Sequence, residues 1–309
     1  VGTNGSPNLY SIDFDATANA AGISDIVNAA ITSSPLAFSI PNNVPAGVYN
    51  GVLIVTNSTT AISSVNYNIT LSVVGNPTIA ITSSPAVCQG ITTSSISFSG
   101  TSNSPNQYSI DYDPTANSAA FVDVVNQSFP GSPIPLLVPA GAAPATYLAN
   151  LTILNTTTSC QGVYPISVVV NAIPAATFGG NPSVVVGTSS TSIALSSLVG
   201  SPNQYSINYD NTANAAGFVD LASQSLGGAS IPISIPGAAA AGTYNATIVL
   251  TNSTSGCSSA SIAITVTLNA SAPPAITLGS NPSICTGTTI ANLSYSNATN
   301  NPNEYTIDF

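Results

Sequence analysis

One motif occurs four times in this chain and sets its organisation. Ser-Pro-Asn-Leu-Tyr-Ser-Ile-Asp-Phe-Asp at 6–15 returns as Ser-Pro-Asn-Gln-Tyr-Ser-Ile-Asp-Tyr-Asp at 104–113 and Ser-Pro-Asn-Gln-Tyr-Ser-Ile-Asn-Tyr-Asp at 201–210. It returns again as Asn-Pro-Asn-Glu-Tyr-Thr-Ile-Asp-Phe at 301–309. Tyr10, Tyr108, Tyr205 and Tyr305 are 98, 97 and 100 residues apart. A second series, Ala-Gly-Val-Tyr49, Pro-Ala-Thr-Tyr147 and Ala-Gly-Thr-Tyr244, keeps the same step. Similarity at so long a period marks an array of whole domains, each with its own core, rather than a solenoid of small repeats. Proline-bearing junctions at Gly75-Asn76-Pro77, Ala172-Ile173-Pro174 and Ala270 to Pro274 divide the chain. They leave the C-terminal part of one repeat (1–76), two full repeats (77–172 and 173–270) and the opening of another (271–309). Such short, stiff junctions predict domains strung end to end, and the whole reads as a window on a longer repetitive protein.

Each repeat reads as all-β. In the second, segments rich in Val, Ile and Tyr predict strands at Ile79–Ile81, Ser95–Phe98, Tyr108–Tyr112, Phe121–Val125, Ile134–Val138, Tyr147–Leu154 and Val163–Val170. Gly, Pro, Asn and Ser turns separate them. About seven strands in under 100 residues is the arithmetic of an immunoglobulin-like sandwich. Ile-Ala-Ile-Thr-Val-Thr-Leu at 262–268 alternates apolar with smaller or polar residues, as a strand buried on one face does. Asp113-Pro114 before Thr115 to Ala120 supplies an N-cap and a proline at the first helical position, so one short helix is expected in each repeat. Asp15 and Asp210 hold the same place. The fold class is therefore all-β, tandem immunoglobulin-like β-sandwich domains in a linear array, each with one short helix.

Composition removes most functions. The 309 residues include no Lys, Arg or His but ten Asp and Glu, for a net charge of −10. No cation is present to neutralise phosphates, so nucleic acid is excluded as a partner, and an anionic membrane surface repels the chain. No apolar run of 18 residues exists to span a bilayer. A Ser-His-Asp triad is impossible without histidine. The carboxylates recur in every repeat instead of marking one site, so no enzyme is expected. The lack of a Met start or basic leader means that residue 1 is not expected to be the natural start, and the missing trypsin sites fit a protease-resistant extracellular protein.

Four sets of residues carry chemistry in principle. Asp13, Asp15 and Asp25, with Asp111, Asp113 and Asp123, have spacings that superficially match a calcium loop, although Ala18 and Ala116 stand where its glycine belongs. Calcium is thus a possible ligand, N-capping and solvation the competing explanation, and no other cofactor is implied. Cys88 and Cys160 are expected to form a disulfide within the second repeat, closing a long loop. Ile62 and Val185 replace the matching cysteines elsewhere, leaving Cys257 without its partner and Cys285 to pair beyond Phe309. Asn57, Asn155 and Asn252 begin N-glycosylation sequons at matching turns, yet asparagine is also a favoured turn residue. Tyr49, Tyr147 and Tyr244 match a tyrosine corner, whose hydroxyl ties back to upstream backbone.

Asn-Pro-Ser-x-Cys-x-Gly-Thr-Thr (281–289), the Tyr-Ser-Ile-Asp-Tyr-Asp motif, Ala-Asn-x-Ala-Gly-Phe-Val-Asp (213–220) and Ala-Gly-Thr-Tyr-Asn-Ala-Thr (241–247) together resemble Ig-like repeats. Such repeats occur in very large secreted surface proteins of Bacteroidota with a gliding-motility-type C-terminal sorting domain. The resemblance implies secretion, anchoring at the cell surface and a role in adhesion or filament building. The partners it implies are neighbouring copies or repeats in a fibre, with a glycan or cell-surface ligand as an alternative. A carbohydrate-binding or calcium-stiffened adhesion module is the alternative function.

Overall fold

The structure is a computed structural model that describes residues 5–308. It divides into two compact units, Val1–Val170 and Asn171–Phe309. Among the described residues, the regular elements are strands apart from three five-residue helices.

The first unit holds two cores. The first rests on one sheet of β1 (Leu9–Phe14), β2 (Ile26–Ala30), β3 (Gly47–Asn57), β4 (Ile62–Ser63) and β5 (Tyr67–Val73), ordered β2-β1-β3-β4 with β5 also on β3. The second core is a sandwich built from β6 (Thr78–Ile81), β7 (Ala86–Cys88), β8 (Thr93–Ile96), β9 (Phe98–Ser102), β10 (Gln107–Tyr112), β11 (Val124–Ser128), β12 (Ile134–Leu137), β13 (Ala145–Asn155) and β14 (Cys160–Asn171). One sheet runs β11-β10-β13-β14-β7; β6-β9 and β8-β12 pair on the other side of the core.

The second unit repeats this plan with β15 (Ala175–Phe178), β16 (Ser183–Val185), β17 (Ser190–Val199), β18 (Gln204–Tyr209), β19 (Leu221–Ser225), β20 (Ser230–Ser234), β21 (Gly242–Asn252), β22 (Cys257–Ser258) and β23 (Ile262–Asn269). Its sheets run β16-β23-β21-β18-β19 and β15-β17-β20. A hairpin of β24 (Ala275–Leu278) and β25 (Tyr295–Thr299) follows. Helices α1 (Ala16–Ala20), α2 (Pro114–Ser118) and α3 (Asn211–Ala215) each follow the motif strand.

The alternation in the sequence becomes the two faces of each sheet. The motif strands β1, β10 and β18 share one burial pattern, with Tyr, Ile and the final aromatic inward. In β23, Ile264, Val266 and Leu268 face the core. Ile96, Ile134, Leu151, Ile153 and Val168 are fully buried in the second core, and Ile231, Ile233, Ile248, Leu250 and Val266 in the third. Each such side chain contributes roughly 1.5–3 kcal/mol relative to exposure. The first core is different: Leu36, Phe38, Ile40, Ile69, Leu71 and Val73 are only partly buried. No polar or charged residue is buried among the described residues.

Two local features escaped the strand pattern. The strand expected at Phe121–Val125 starts at Val124 and runs to Ser128. The amide of Phe121 donates to Ala116 and Asp123 accepts from Tyr112, which holds the preceding residues in a turn. Strand β7, three residues long, is too short to show alternation.

Candidate functional site

The capping and loop aspartates, the corner tyrosines and the sequon asparagines sit in the same places in each described repeat, and they are bound into the backbone frame. Asp15, Asp113 and Asp210 cap the helices, their Oδ1 atoms accepting from the amides of Ala18, Ala116 and Ala213 at 2.9, 2.7 and 2.7 Å. The Ala18 amide, opposed by desolvation and aided by the Asn50 side chain, holds the Asp15 carboxyl below its ordinary value. Asp25, Asp123 and Asp220 accept from the amides of Phe14, Tyr112 and Tyr209 at 2.9, 3.0 and 2.8 Å, pinning the loop after each helix to the end of the motif strand. Asp13 and Asp111 lie exposed on their strands, as does Asn208 at the matching position. Alternate spacing thus runs from a strand into a helix cap. No group of three or more His, Cys, Asp or Glu that could hold a metal ion occurs among the described residues.

The hydroxyls of Tyr49, Tyr147 and Tyr244 donate to the carbonyls of Pro45, Ala143 and Ala240 at 2.9, 2.8 and 2.9 Å. Their rings extend the core: Phe121 lies 5.0 Å from Tyr112 and 4.6 Å from Tyr147, and Phe218 lies 5.0 Å from Tyr209 and 4.8 Å from Tyr244. Burial, with Asp123 and Asp220 adding to it, pushes the hydroxyls of Tyr112 and Tyr209 up to about 12.

The sequon asparagines join two turns. Nδ2 of Asn57, Asn155 and Asn252 donates to the carbonyls of Gly5, Asn103 and Gly200 at 2.8, 2.9 and 3.0 Å. Their Oδ1 atoms accept from amides two and three residues ahead. The motif asparagines Asn8, Asn106 and Asn203 reach the same turn, each exchanging two hydrogen bonds with Ser58, Thr156 or Ser253.

The motif serine has a role that sequence reasoning missed. Pairing of β1 with β2, β10 with β11 and β18 with β19 skips register at Ser11, Ser109 and Ser206. Opposite stand Asn28, Asn126 and Ser223 at φ of +52°, +49° and +49°. Their amides donate to the motif serine hydroxyls at 2.9, 2.9 and 3.0 Å. A bulge leaves such an amide out of the ladder, and the hydroxyl satisfies it. The conserved pairing of serine with a residue 17 positions on was the available signal.

The cysteines correct an expectation. Cys160 is a free thiol while Cys88 is disulfide-bonded, so the Cys88–Cys160 bridge does not form. Cys160 opens β14, whereas β7 lies along the far end of that strand, where the Val169 amide donates to Pro85. Nine residues of strand separate those ends by about 30 Å, far beyond the ~7 Å that a disulfide tolerates between Cα atoms. Cys257, expected to lack a partner, is disulfide-bonded, and Cys285 is free.

No protein-family model matches the chain, and no curated protein matches it. Among solved structures, fibronectin(III)-like modules of Clostridium thermocellum CbhA align at 13% identity and a TM-score of 0.35, over 62% of this chain and 95% of theirs. The chicken CNTN1 FN1-FN3 domains align at 15% and 0.34, over 86% and 91%. An I-band fragment of titin aligns at 15% and 0.36, over 87% and 90%.

Proposed function

We propose that this chain is a structural segment of an extracellular fibre or stalk, built from Ig-like sandwiches in series on a repetitive bacterial surface protein. The observation that carries this reading is the repeated use of the same aspartates, tyrosines and asparagines for the frame. The aspartates, tyrosines and asparagines just described bind backbone at matching positions in three successive repeats. A binding or catalytic protein would break that pattern at its site. Copies of one self-contained sandwich, joined by short proline-bearing segments, add length at a constant structure. The absence of lysine and arginine removes every trypsin site and favours survival outside the cell. Exposed hydroxyls and amides, with a net charge of −10, keep such a fibre hydrated. The repeats of Bacteroidota surface proteins that the motifs resemble belong to the same setting.

The test is cryo-electron microscopy of the native assembly. Regularly spaced beads, one per repeat, support the stalk; a compact globule overturns it.

A further inference from the structure

We propose that β16 and β23, tied together by the side chains of Asn181 and Asn269, are the force-bearing pair of the third core. The proposal rests on the serial-array reading, in which tension enters a core through its two chain ends.

The segment by which the chain enters the third core lies against the segment by which it leaves. β16 pairs with β23 in parallel, with Ser183 opposite Thr267, Val184 opposite Leu268 and Val185 opposite Asn269. In a parallel pair, the start of one strand and the end of the other lie at opposite ends of the ladder. Tension on the chain before Ser183 and after Asn269 therefore slides the two strands along each other, and the bonds between them are strained together. An antiparallel pair would put both pulled residues at one end and open bond by bond.

Local sequence places the entering strand. It leaves the other sheet at Gly179, whose amide donates to the Ala194 carbonyl at 2.7 Å. A Cβ on Gly179 would lie 3.3 Å from both the Cβ and the carbonyl oxygen of Ala194, so this close crossing suits glycine. Pro182 then precedes β16: with no amide to donate it fits the start of an edge strand, and it biases Asn181 to extended backbone. The Thr267 amide donates to the Pro182 carbonyl and the Val186 amide to the Asn269 carbonyl, both at 2.9 Å. Val184 and Val186 pack against the core.

Two asparagine side chains add three bonds to this ladder. Oδ1 of Asn181 accepts from the Thr265 amide at 3.1 Å, which extends the pairing beyond Ser183. Nδ2 of Asn269 donates to Oγ of Ser183 at 2.9 Å and to the Val184 carbonyl at 3.3 Å. Asn181 lies before the first paired residue and Asn269 is the last, so the side chains bracket the ladder and the same sliding must break them. The second core also sets β7 beside β14, and the Val169 amide donates to Pro85, but Ser84 stands where Asn181 stands.

Forced unfolding is governed by the unfolding rate, whereas denaturant titration reads equilibrium stability. Held at constant force by its ends, with disulfides reduced, the chain should show one step for the second core and one for the third. N181A should raise the rate of one step roughly two- to tenfold, the effect of one hydrogen bond, and N181A with N269A should raise it further; the other step stays as the internal reference. Tyr244→Phe removes a bond to Ala240 in the same core but outside the pair. It should lower the urea midpoint and leave both rates under force unchanged. The proposal is overturned if N181A and N269A together leave both rates unchanged, or if Tyr244→Phe raises one as much as they do. Should the double variant fail to fold by circular dichroism, N181A alone decides, since Asn181 is exposed. The array reading is judged separately: two steps retain it whatever the rates, and one merged step overturns it.

Discussion

Ala120 holds φ at +69° where the first and third repeats place Gly22 and Gly217 at +92° and +97°. All three follow a helix whose last amides fold back on its carbonyls, the conformation for which glycine is the usual solution. An alanine in the left-handed region costs about 1–2 kcal/mol. Glycine returns about 0.4–1 of that through the larger entropy of its unfolded chain. Ala120→Gly should therefore stabilise the second core by about 0.5–1 kcal/mol, or roughly 2–6 °C in Tm for a domain of this size. The reverse changes differ from one another. A Cβ on Gly22 meets nothing within 4 Å, so Gly22→Ala should cost only the backbone term, about 0.5–1 kcal/mol. On Gly217 it would lie 3.2 Å from Cβ of Pro236, so Gly217→Ala should cost more, about 1–2 kcal/mol. Urea titration followed by circular dichroism measures all three. A destabilising Ala120→Gly, or a Gly217→Ala no costlier than Gly22→Ala, would refute the reasoning.

Tyr147→Phe removes the hydrogen bond to Ala143 but keeps the ring against Phe121, so denaturant titration should show a loss of about 1 kcal/mol, against about 3–5 for Tyr147→Ala. Tyr112 and Tyr209 ionise near 12 in the folded chain against 10.0 when free, so their contribution is complete below pH 10 and disappears as pH rises from there towards 12. The loss should be about 1–2 kcal/mol per site after allowance for solvent at the hydroxyls; Phe14 holds that position in the first core, which should not show it, and hydrogen-exchange mapping at rising pH separates the three. Moderate sodium chloride, or EDTA, should leave the unfolding midpoint almost unmoved, because no cationic side chain exists to form an ion pair; a fall of several degrees on adding EDTA would instead establish a calcium site.

How far the fold was legible depended on what each signal encodes. Side-chain alternation and turn residues are local, so β10, β12, β13 and β14 could be placed from composition alone, as could the Asp113-Pro114 helix start. The repeat turned three weak readings of each element into one firm reading. What escaped was set by distance along the folded chain. Cys88 and Cys160 belong to one repeat, and only the pairing of β7 with the far end of β14 shows that they lie at opposite poles. The aspartates spaced two apart looked like a cation loop because spacing does not reveal that a strand stops and a helix starts between Asp13 and Asp15. Asp220 held a clue, since it persists in the third repeat although Asn208 has replaced the first aspartate. A residue kept when its supposed co-ligand is gone has another role, here the Tyr209 amide.

Single-molecule stretching of the chain with its disulfides reduced tests the account most directly. Separate apolar cores should break one at a time, giving two matching force peaks for the second and third cores. Each should release about 90 residues, or roughly 30 nm of extended chain. One rupture that releases both cores together would contradict a series of self-contained sandwiches.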